Sequence, residues 1–322
     1  MKNFAALFPG QGSQHTGMGK ELYDNFKVAK HTYEEGSDFL KLDLKKLCFE
    51  GPDSELKLTA NAQPALVITS IAAWRVFESE SPMRPTVTLG HSLGEYSALV
   101  AARALTLGDA LVAVRIRGQA MQEAVPVGTG GMAAVLGLED DEVIKACRDM
   151  QSRAVTEAGL KNCVLEVANF NSPGQVVVSG HQRALDFMKD NLVASDYGAS
   201  RFKMIPLAVS APFHSSLMKP AAEKLKKQLE KIAWNHKFDF DVIHNLTAER
   251  NHDGTQLVSI LYHQMTKPVL WASSIRNSKV NDFMEFGAGR VLTGLVKKIL
   301  PDAHTTNIDV LENLKNATKI GS

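Results

Sequence analysis

Apolar positions along this chain fall into short continuous runs that alternate with longer runs of helical period. Phe4–Phe8 is such a short run, closed by Pro9-Gly10, and reads as a first strand buried on both faces. A glycine-rich loop, Gly10-Gln11-Gly12-Ser13-Gln14, and helical segments follow, the longest apolar one over about residues 64–77. Thr86-Val87-Thr88-Leu89 is β-branched, lies between Pro85 and Gly90, and predicts a second buried strand. A helix of small residues is expected over 93–104. The next begins at Thr106, with Asp109 three residues on as an imperfect capping box. Alternation of this kind argues for an α/β fold.

The pattern changes at Val125-Pro126-Val127-Gly128-Thr129-Gly130-Gly131, a hinge-like stretch. Beyond it the spacing predicts a strand (132–136), a helix (141–153), two strands (164–169 and 175–179), a helix (182–192) and a strand (202–207). Asn171-Ser172-Pro173-Gly174 supplies the turn between the middle strands. The order β-α-β-β-α-β is that of a ferredoxin-like unit. The expected organisation is therefore a large domain of residues 1–126 and 205–322 with a small ferredoxin-like domain, 127–204, inserted into it. The large domain then resumes with a helix (220–233), strands (238–244 and 282–286), and Gly287-Ala288-Gly289 leading into a helix (291–300). That last turn lacks the G-x-G-x-x-G spacing of a dinucleotide loop.

Composition narrows the class. The chain has 322 residues, 44% hydrophobic and 22% charged, enough for a sizeable core. With 36 Lys+Arg against 35 Asp+Glu, the balance calls for neither nucleic acid nor an anionic membrane. The three cysteines, Cys48, Cys147 and Cys163, form no CxxC pair and read as small buried hydrophobes of a reducing compartment. The N-terminal apolar run is too short for a signal peptide, and no stretch approaches the ~20 residues of a membrane helix. A cytoplasmic location is expected.

Gly90-His91-Ser92-Leu93-Gly94 fits G-x-S-x-G between a predicted strand and a predicted helix, the setting of a nucleophile elbow. The alternative is a tight turn with a capping serine. A serine nucleophile needs a base. Of the ten histidines, His214 in Ser210-Ala211-Pro212-Phe213-His214-Ser215 is the leading candidate, on a loop stiffened by proline. His91 adjoins Ser92 but should point elsewhere. His15, His31, His181, His236, His244, His252, His263 and His304 read as exposed or structural. No pair has metal-ligand spacing, and no metal site is expected.

Arg117 stands where its helix should be apolar. The stripe Ala110, Val114, Met121 passes through it, while Arg115 lies about 200° round the helix. A guanidinium pointing into a core needs an anion. Three partners remain open: a structural Asp or Glu, solvent reached by snorkelling, or a substrate carboxylate.

Taken in order, the glycine-rich loop, Gly90-His91-Ser92-Leu93-Gly94-Glu95, Arg117, Asn169-Phe170-Asn171-Ser172-Pro173-Gly174-Gln175 and Pro212-Phe213-His214 resemble the malonyl-CoA:acyl-carrier-protein transacylases. More broadly, they resemble the acyltransferase domains of fatty-acid and polyketide synthases. The resemblance runs from residue 3 to about 300 and implies an α/β-hydrolase-like large domain with an inserted ferredoxin-like small domain. It casts Ser92 as nucleophile and His214 as general base. Gln264-Met265-Thr266-Lys267-Pro268-Val269-Leu270-Trp271 matches the family's Q-L-x-x-P-V-x-W stretch, departing at Met265 and Lys267. Gln264 would thus orient the histidine through its backbone carbonyl. The N–H groups of Gln11 and Leu93 would form the oxyanion hole, and Arg117 would hold the malonyl carboxylate. Gln63, Asn169 and Asn171 would line the pocket.

Phe213 and Leu93 are the residues of malonyl rather than methylmalonyl enzymes. A bulky Phe213 leaves less room for an α-methyl, a discrimination of about 1–3 kcal/mol. The resemblance implies malonyl-CoA as substrate, no cofactor, acyl carrier protein as partner, and a monomer. Lys297 and Lys298 are candidates for a carrier-facing basic patch or ordinary solvated residues. Rival expectations are a serine thioesterase or other hydrolase, a non-catalytic carrier-docking module, and a trans-acting polyketide acyltransferase of the same chemistry.

Overall fold

The computed structural model describes residues 3–209 and 211–319; Ser210 of the expected histidine loop lies outside them. The chain opens with β1 (Phe4–Phe8), α1 (Lys20–Asn25), α2 (Lys27–Leu40), α3 (Leu44–Glu50), α4 (Asp53–Lys57) and α5 (Thr59–Glu80). There follow β2 (Val87–Gly90), α6 (Gly94–Ala101), α7 (Leu107–Glu123), β3 (Gly130–Leu136), α8 (Asp140–Ala158), β4 (Leu165–Ser172), β5 (Gln175–His181), α9 (Gln182–Asn191) and β6 (Lys203–Pro206). The remainder is α10 (Lys219–Leu229), β7 (Asp241–Ile243), β8 (Arg250–Asn251), α11 (Leu257–Gln264), α12 (Trp271–Asn277), β9 (Asp282–Phe286), α13 (Val291–Ile299), β10 (His304–Ile308) and α14 (Leu311–Lys319).

Two sheets organise a mixed α/β fold. The first has the order β10-β9-β1-β2-β7-β8, parallel throughout except for β8. Its central strands are apolar on both faces because both are covered. Phe4, Ala6, Phe8, Met284 and Phe286 face a core shared with α5, where Trp74 and Phe77 pack edge-on against Phe286. Ala5, Leu7, Val87, Leu89 and Phe283 face the opposite core, closed by Trp271 and Ile275 of α12 and by Leu292 and Val296 of α13.

The second sheet is antiparallel, in the order β4-β5-β3-β6. It has its own core with α8 and α9, including Val135, Val143, Val176 and Met188. Its edge strand β4 is tied to the segment before α12: Val269 N–H donates to Ala168 O at 2.9 Å, and Phe170 N–H to Val269 O at 2.9 Å.

The expected elements between residues 127 and 207 are present in their expected order, with α8 extending well past residue 153. The strand expected over 238–244 shrinks to Asp241–Ile243. Its first amides bond elsewhere, Phe238 N–H to His252 O and Asp239 N–H to Ala102 O. β10, α11, α12 and α14 were not anticipated from the pattern.

Candidate active site

The Ser92 turn is built by steric necessity. A Cβ on Gly90 would overlap the Gly94 carbonyl, and one on Gly94 would overlap the Phe8 carbonyl, so the turn closes only with glycine at both places. Between them Ser92 adopts φ +51°, a left-handed conformation that a side-chain-bearing residue holds only under constraint. β1 and β2 run side by side in parallel, so the loop after β1 arrives beside this turn, and His91 N–H donates to Phe8 O at 3.1 Å.

Ser92 Oγ lies 2.7 Å from His214 Nε2, and His214 Nδ1 lies 2.8 Å from the Gln264 backbone oxygen. A carbonyl can only accept, so Nδ1 carries the proton and Nε2 is left as the acceptor for the serine hydroxyl. Burial, reinforced by the nearby Arg117 charge, pushes the His214 pKa down to about 3. The imidazole is therefore neutral at pH 7 and able to take a proton.

Arg117 is 1% exposed on α7. Its Nη1 donates to Gln63 Oε1 at 3.1 Å; its Nη2 donates to Ser92 Oγ at 3.0 Å and to Gln264 Oε1 at 3.2 Å. The guanidinium lies over the Tyr96 ring at 5.9 Å, and its Nε has no partner. All three acceptors are neutral, and among the described residues no carboxylate forms an ion pair with it. Neither a structural salt bridge nor snorkelling accounts for this arginine.

The nearby carboxylate, Glu95, is fully buried and already engaged. Its Oε1 accepts from His244 Nδ1 at 2.7 Å, and its Oε2 from Gln264 Nε2 at 2.7 Å and Asn245 N–H at 3.1 Å. Asn245 in turn accepts from Ser92 N–H at 2.6 Å through Oδ1 and donates through Nδ2 to Gly90 O at 2.7 Å.

The structure thus joins Ser92, His214, Gln264, Arg117 and Gln63 by direct hydrogen bonds. Gln11 approaches from the first loop, its side chain bonded to Thr59 Oγ1 at 3.1 Å, at the start of the helix that carries Gln63. The backbone N–H groups of Gln11 and Leu93 donate to no described atom. Asn171 meets the turn through His91 Nε2 at 2.8 Å. Asn169 is buried on β4 opposite Val269, and Phe213 is buried immediately before His214; neither makes a side-chain hydrogen bond to the group. Lys297 bonds to Ala303 O, and Lys298 to Gln175 Oε1 at 2.9 Å.

The pattern of residues missed Glu95, His244 and Asn245. Glu95 had a legible signal, since it is the only charged residue in the apolar helix α6. His244 was grouped with exposed or structural histidines and is 1% exposed.

A family model described as "Acyl transferase domain" matches residues 6–288. The chain is 47% identical over 302 residues to the malonyl CoA-acyl carrier protein transacylase of Bacillus subtilis (strain 168), covering 93% of this chain and 91% of that protein. It is 41% identical over 303 residues to the protein of the same name from Escherichia coli (strain K12), covering 93% and 94%. Among solved structures, the malonyl CoA-acyl carrier protein transacylase of Coxiella burnetii superposes with a TM-score of 0.91 at 36% identity, covering 99% of this chain and 97% of that one. A malonyl-transacylase in complex with its type II PKS acyl-carrier protein superposes with a TM-score of 0.90 at 38% identity, covering 99% of each.

Proposed function

Because the chain belongs to the acyl transferase domain family, we infer that it transfers malonyl from malonyl-CoA to the phosphopantetheine thiol of acyl carrier protein through a malonyl-Ser92 intermediate. The observation that carries this reading is Arg117, a buried guanidinium 3.0 Å from the Ser92 hydroxyl that forms no ion pair with a carboxylate among the described residues. Such a group is costly until an anion meets it. The free carboxylate of a malonyl group esterified to Ser92 is that anion, held through two parallel hydrogen bonds.

His214 Nε2 takes the Ser92 proton as Oγ attacks the thioester carbonyl, with Gln264 holding the imidazole through its backbone carbonyl. The free N–H groups of Gln11 and Leu93 receive the developing oxyanion, each donor contributing about 3–4 kcal/mol in comparable sites. The coenzyme A thiolate leaves and takes the proton from His214. The carrier thiol then attacks malonyl-Ser92 with His214 again as base, returning the proton to Ser92 Oγ. The chemistry needs no cofactor. Gln63 steadies Arg117, Asn169 and Asn171 line the approach on β4, and Phe213 narrows the space for an α-methyl branch.

Residues 127–204 form, in this reading, a ferredoxin-like small domain inserted into an α/β-hydrolase-like large domain of residues 1–126 and 205–322. The sheet order β4-β5-β3-β6 and a separate core support it, with β6 carrying the small sheet past residue 204 to Pro206. The enzyme acts as a cytoplasmic monomer; no helix among the described residues is long and apolar enough to cross a membrane. A second reading, service to a polyketide carrier, draws on the likeness to a transacylase bound to a type II PKS carrier.

Intact-protein mass spectrometry after brief mixing with malonyl-CoA tests the central claim. Wild type gains one malonyl group that carrier protein discharges, and Ser92→Ala gains none. Steady coenzyme A release without an adduct indicates a thioesterase instead, and no adduct with no release refutes the donor. Parallel discharge by fatty-acid and polyketide carriers decides which is served.

A further inference from the structure

We propose that Asn245, backed by Glu95, is the positioning residue that holds the Ser92 turn in its reactive conformation. The inference rests on Ser92 being the nucleophile and goes beyond it, to what keeps the serine where it is.

β2 pairs with β7 in parallel as far as Leu89 and Ile243. β2 runs one residue further, to Gly90, still paired with Phe8 of β1, while on the β7 side the ladder has ended. Asn245, two residues beyond β7, replaces it with a side chain. Its amide supplies one acceptor to Ser92 N–H and one donor to Gly90 O, so both sides of the turn are gripped by a single planar group. A carboxamide offers a donor and an acceptor side by side without titrating. The asparagine is itself pinned, its N–H to Glu95 Oε2 and its carbonyl accepting from Leu270 N–H at 2.9 Å.

Two consequences follow for the chemistry. Ser92 resists relaxation from φ +51°, so Oγ stays in reach of His214. Ser92 N–H is also occupied, which leaves Leu93 N–H, one residue on, as the amide from this turn that remains free for a developing oxyanion. Glu95 links this arm to the other, because the oxygen that accepts Asn245 N–H also accepts Gln264 Nε2, and the Gln264 carbonyl orients the base. Nucleophile and base are thereby referenced to one buried carboxylate three residues after the serine.

The test compares Asn245→Ala and Asn245→Asp with wild type in steady-state transfer from malonyl-CoA and acetyl-CoA. It also compares the rate at which a small fluorophosphonate labels Ser92, each rate referred to folded protein by thermal melting. Asn245→Ala should lose kcat by about a hundredfold, the usual cost of misplacing a reacting group. KM and the malonyl-over-acetyl preference should be unchanged, and labelling should slow in parallel.

Asn245→Asp should behave differently with pH. Protonated, its carboxyl can donate to Gly90 O and accept from Ser92 N–H as the amide does; ionised, it repels that carbonyl. The ionisable groups around it are Glu95, His244 beyond Glu95, and Arg117 across Gln264. Burial and the Glu95 charge raise such a carboxyl. The variant should therefore approach wild-type kcat at low pH and lose it as pH rises, a limb absent from wild type.

Wild-type kcat and labelling in folded Asn245→Ala, or a wild-type pH profile in Asn245→Asp, overturns the proposal. If Asn245→Ala does not fold, the Asn245→Asp profile decides. Fluorophosphonate labelling does not depend on the acyl donor. Failure of wild type to accept malonyl would therefore refute the function while leaving this inference to stand or fall on its own data.

Discussion

Two strand–turn–helix junctions lie at the same end of the six-stranded sheet, on either side of β1. One joins β2 to α6 through Ser92; the other joins β9 to α13 through Gly287-Ala288-Gly289. Each needs left-handed backbone. In the second junction glycine supplies it, at φ +119° and +78°. In the first a serine supplies it, held by side chains from elsewhere in the chain. Each also has a buried glutamate. Glu285 precedes its turn and accepts from the amides of its own helix, Leu292 at 3.1 Å and Thr293 at 2.8 Å. Glu95 follows its turn and accepts only from residues more than a hundred positions away. The contrast teaches that a turn serving only to connect can be satisfied locally. The turn that presents Ser92, the proposed nucleophile, in a strained conformation draws its constraints from distant segments.

The largest break in this comparison comes from Arg117→Ala. The variant should lose malonyl transfer by about a hundredfold, as expected for a charge-assisted hydrogen-bond pair. Transfer from acetyl-CoA should fall far less, so a competition assay should show the preference moving towards acetyl; an unchanged preference removes Arg117 from the carboxylate role. No substitution in the β9–α13 turn should move that preference.

At the second junction the expected effect is on stability alone. In Gly287→Ala the new methyl would overlap Ser70 Oγ at a left-handed φ, destabilising the fold by about 1–3 kcal/mol. Chemical denaturation reads this, and kcat for the folded fraction should be unaltered. The converse substitution sharpens the point. Ser92→Gly and Ser92→Ala should both be inactive. Ser92→Gly should be the more stable by about 1 kcal/mol, because glycine adopts φ +51° without strain. Equal stability would mean the elbow carries no backbone cost.

A further effect at the second junction concerns pH. Burial pushes the Glu285 pKa up to about 7, against the two helix amides that lower it. A carboxyl raised above its unfolded value of about 4.3 favours the fold at low pH, and that contribution is lost as pH rises through about 7. Glu285→Gln should therefore lose less stability than wild type between pH 5 and pH 8, by on the order of 1–3 kcal/mol. Urea denaturation at the two pH values measures it. His214, depressed to about 3, acts in the opposite sense: its contribution is present above its unfolded value of about 6.5 and is lost as pH falls towards about 3.

What the sequence determined by itself was whatever depends on neighbours along the chain. The buried strands Phe4–Phe8 and Val87–Gly90, the glycines that close the Ser92 turn, and the β-α-β-β-α-β order beyond residue 127 are local matters of pattern and sterics. So was Arg117, legible because one charged residue interrupts an apolar stripe. The shortened β7 was not legible, because the amides of Phe238 and Asp239 found partners outside the sheet.

Among ten histidines the sequence singled out His214, but the contacts that put it to use span 122 and 50 positions: Ser92 to His214, and His214 to the Gln264 carbonyl. Only the tertiary structure decided that Arg117 faces neutral acceptors while Glu95 is fully occupied, and that Asn245 grips both sides of the elbow. A buried polar group is specified by the partner that satisfies it, and that partner is a fact of three-dimensional packing that no periodicity along the chain encodes.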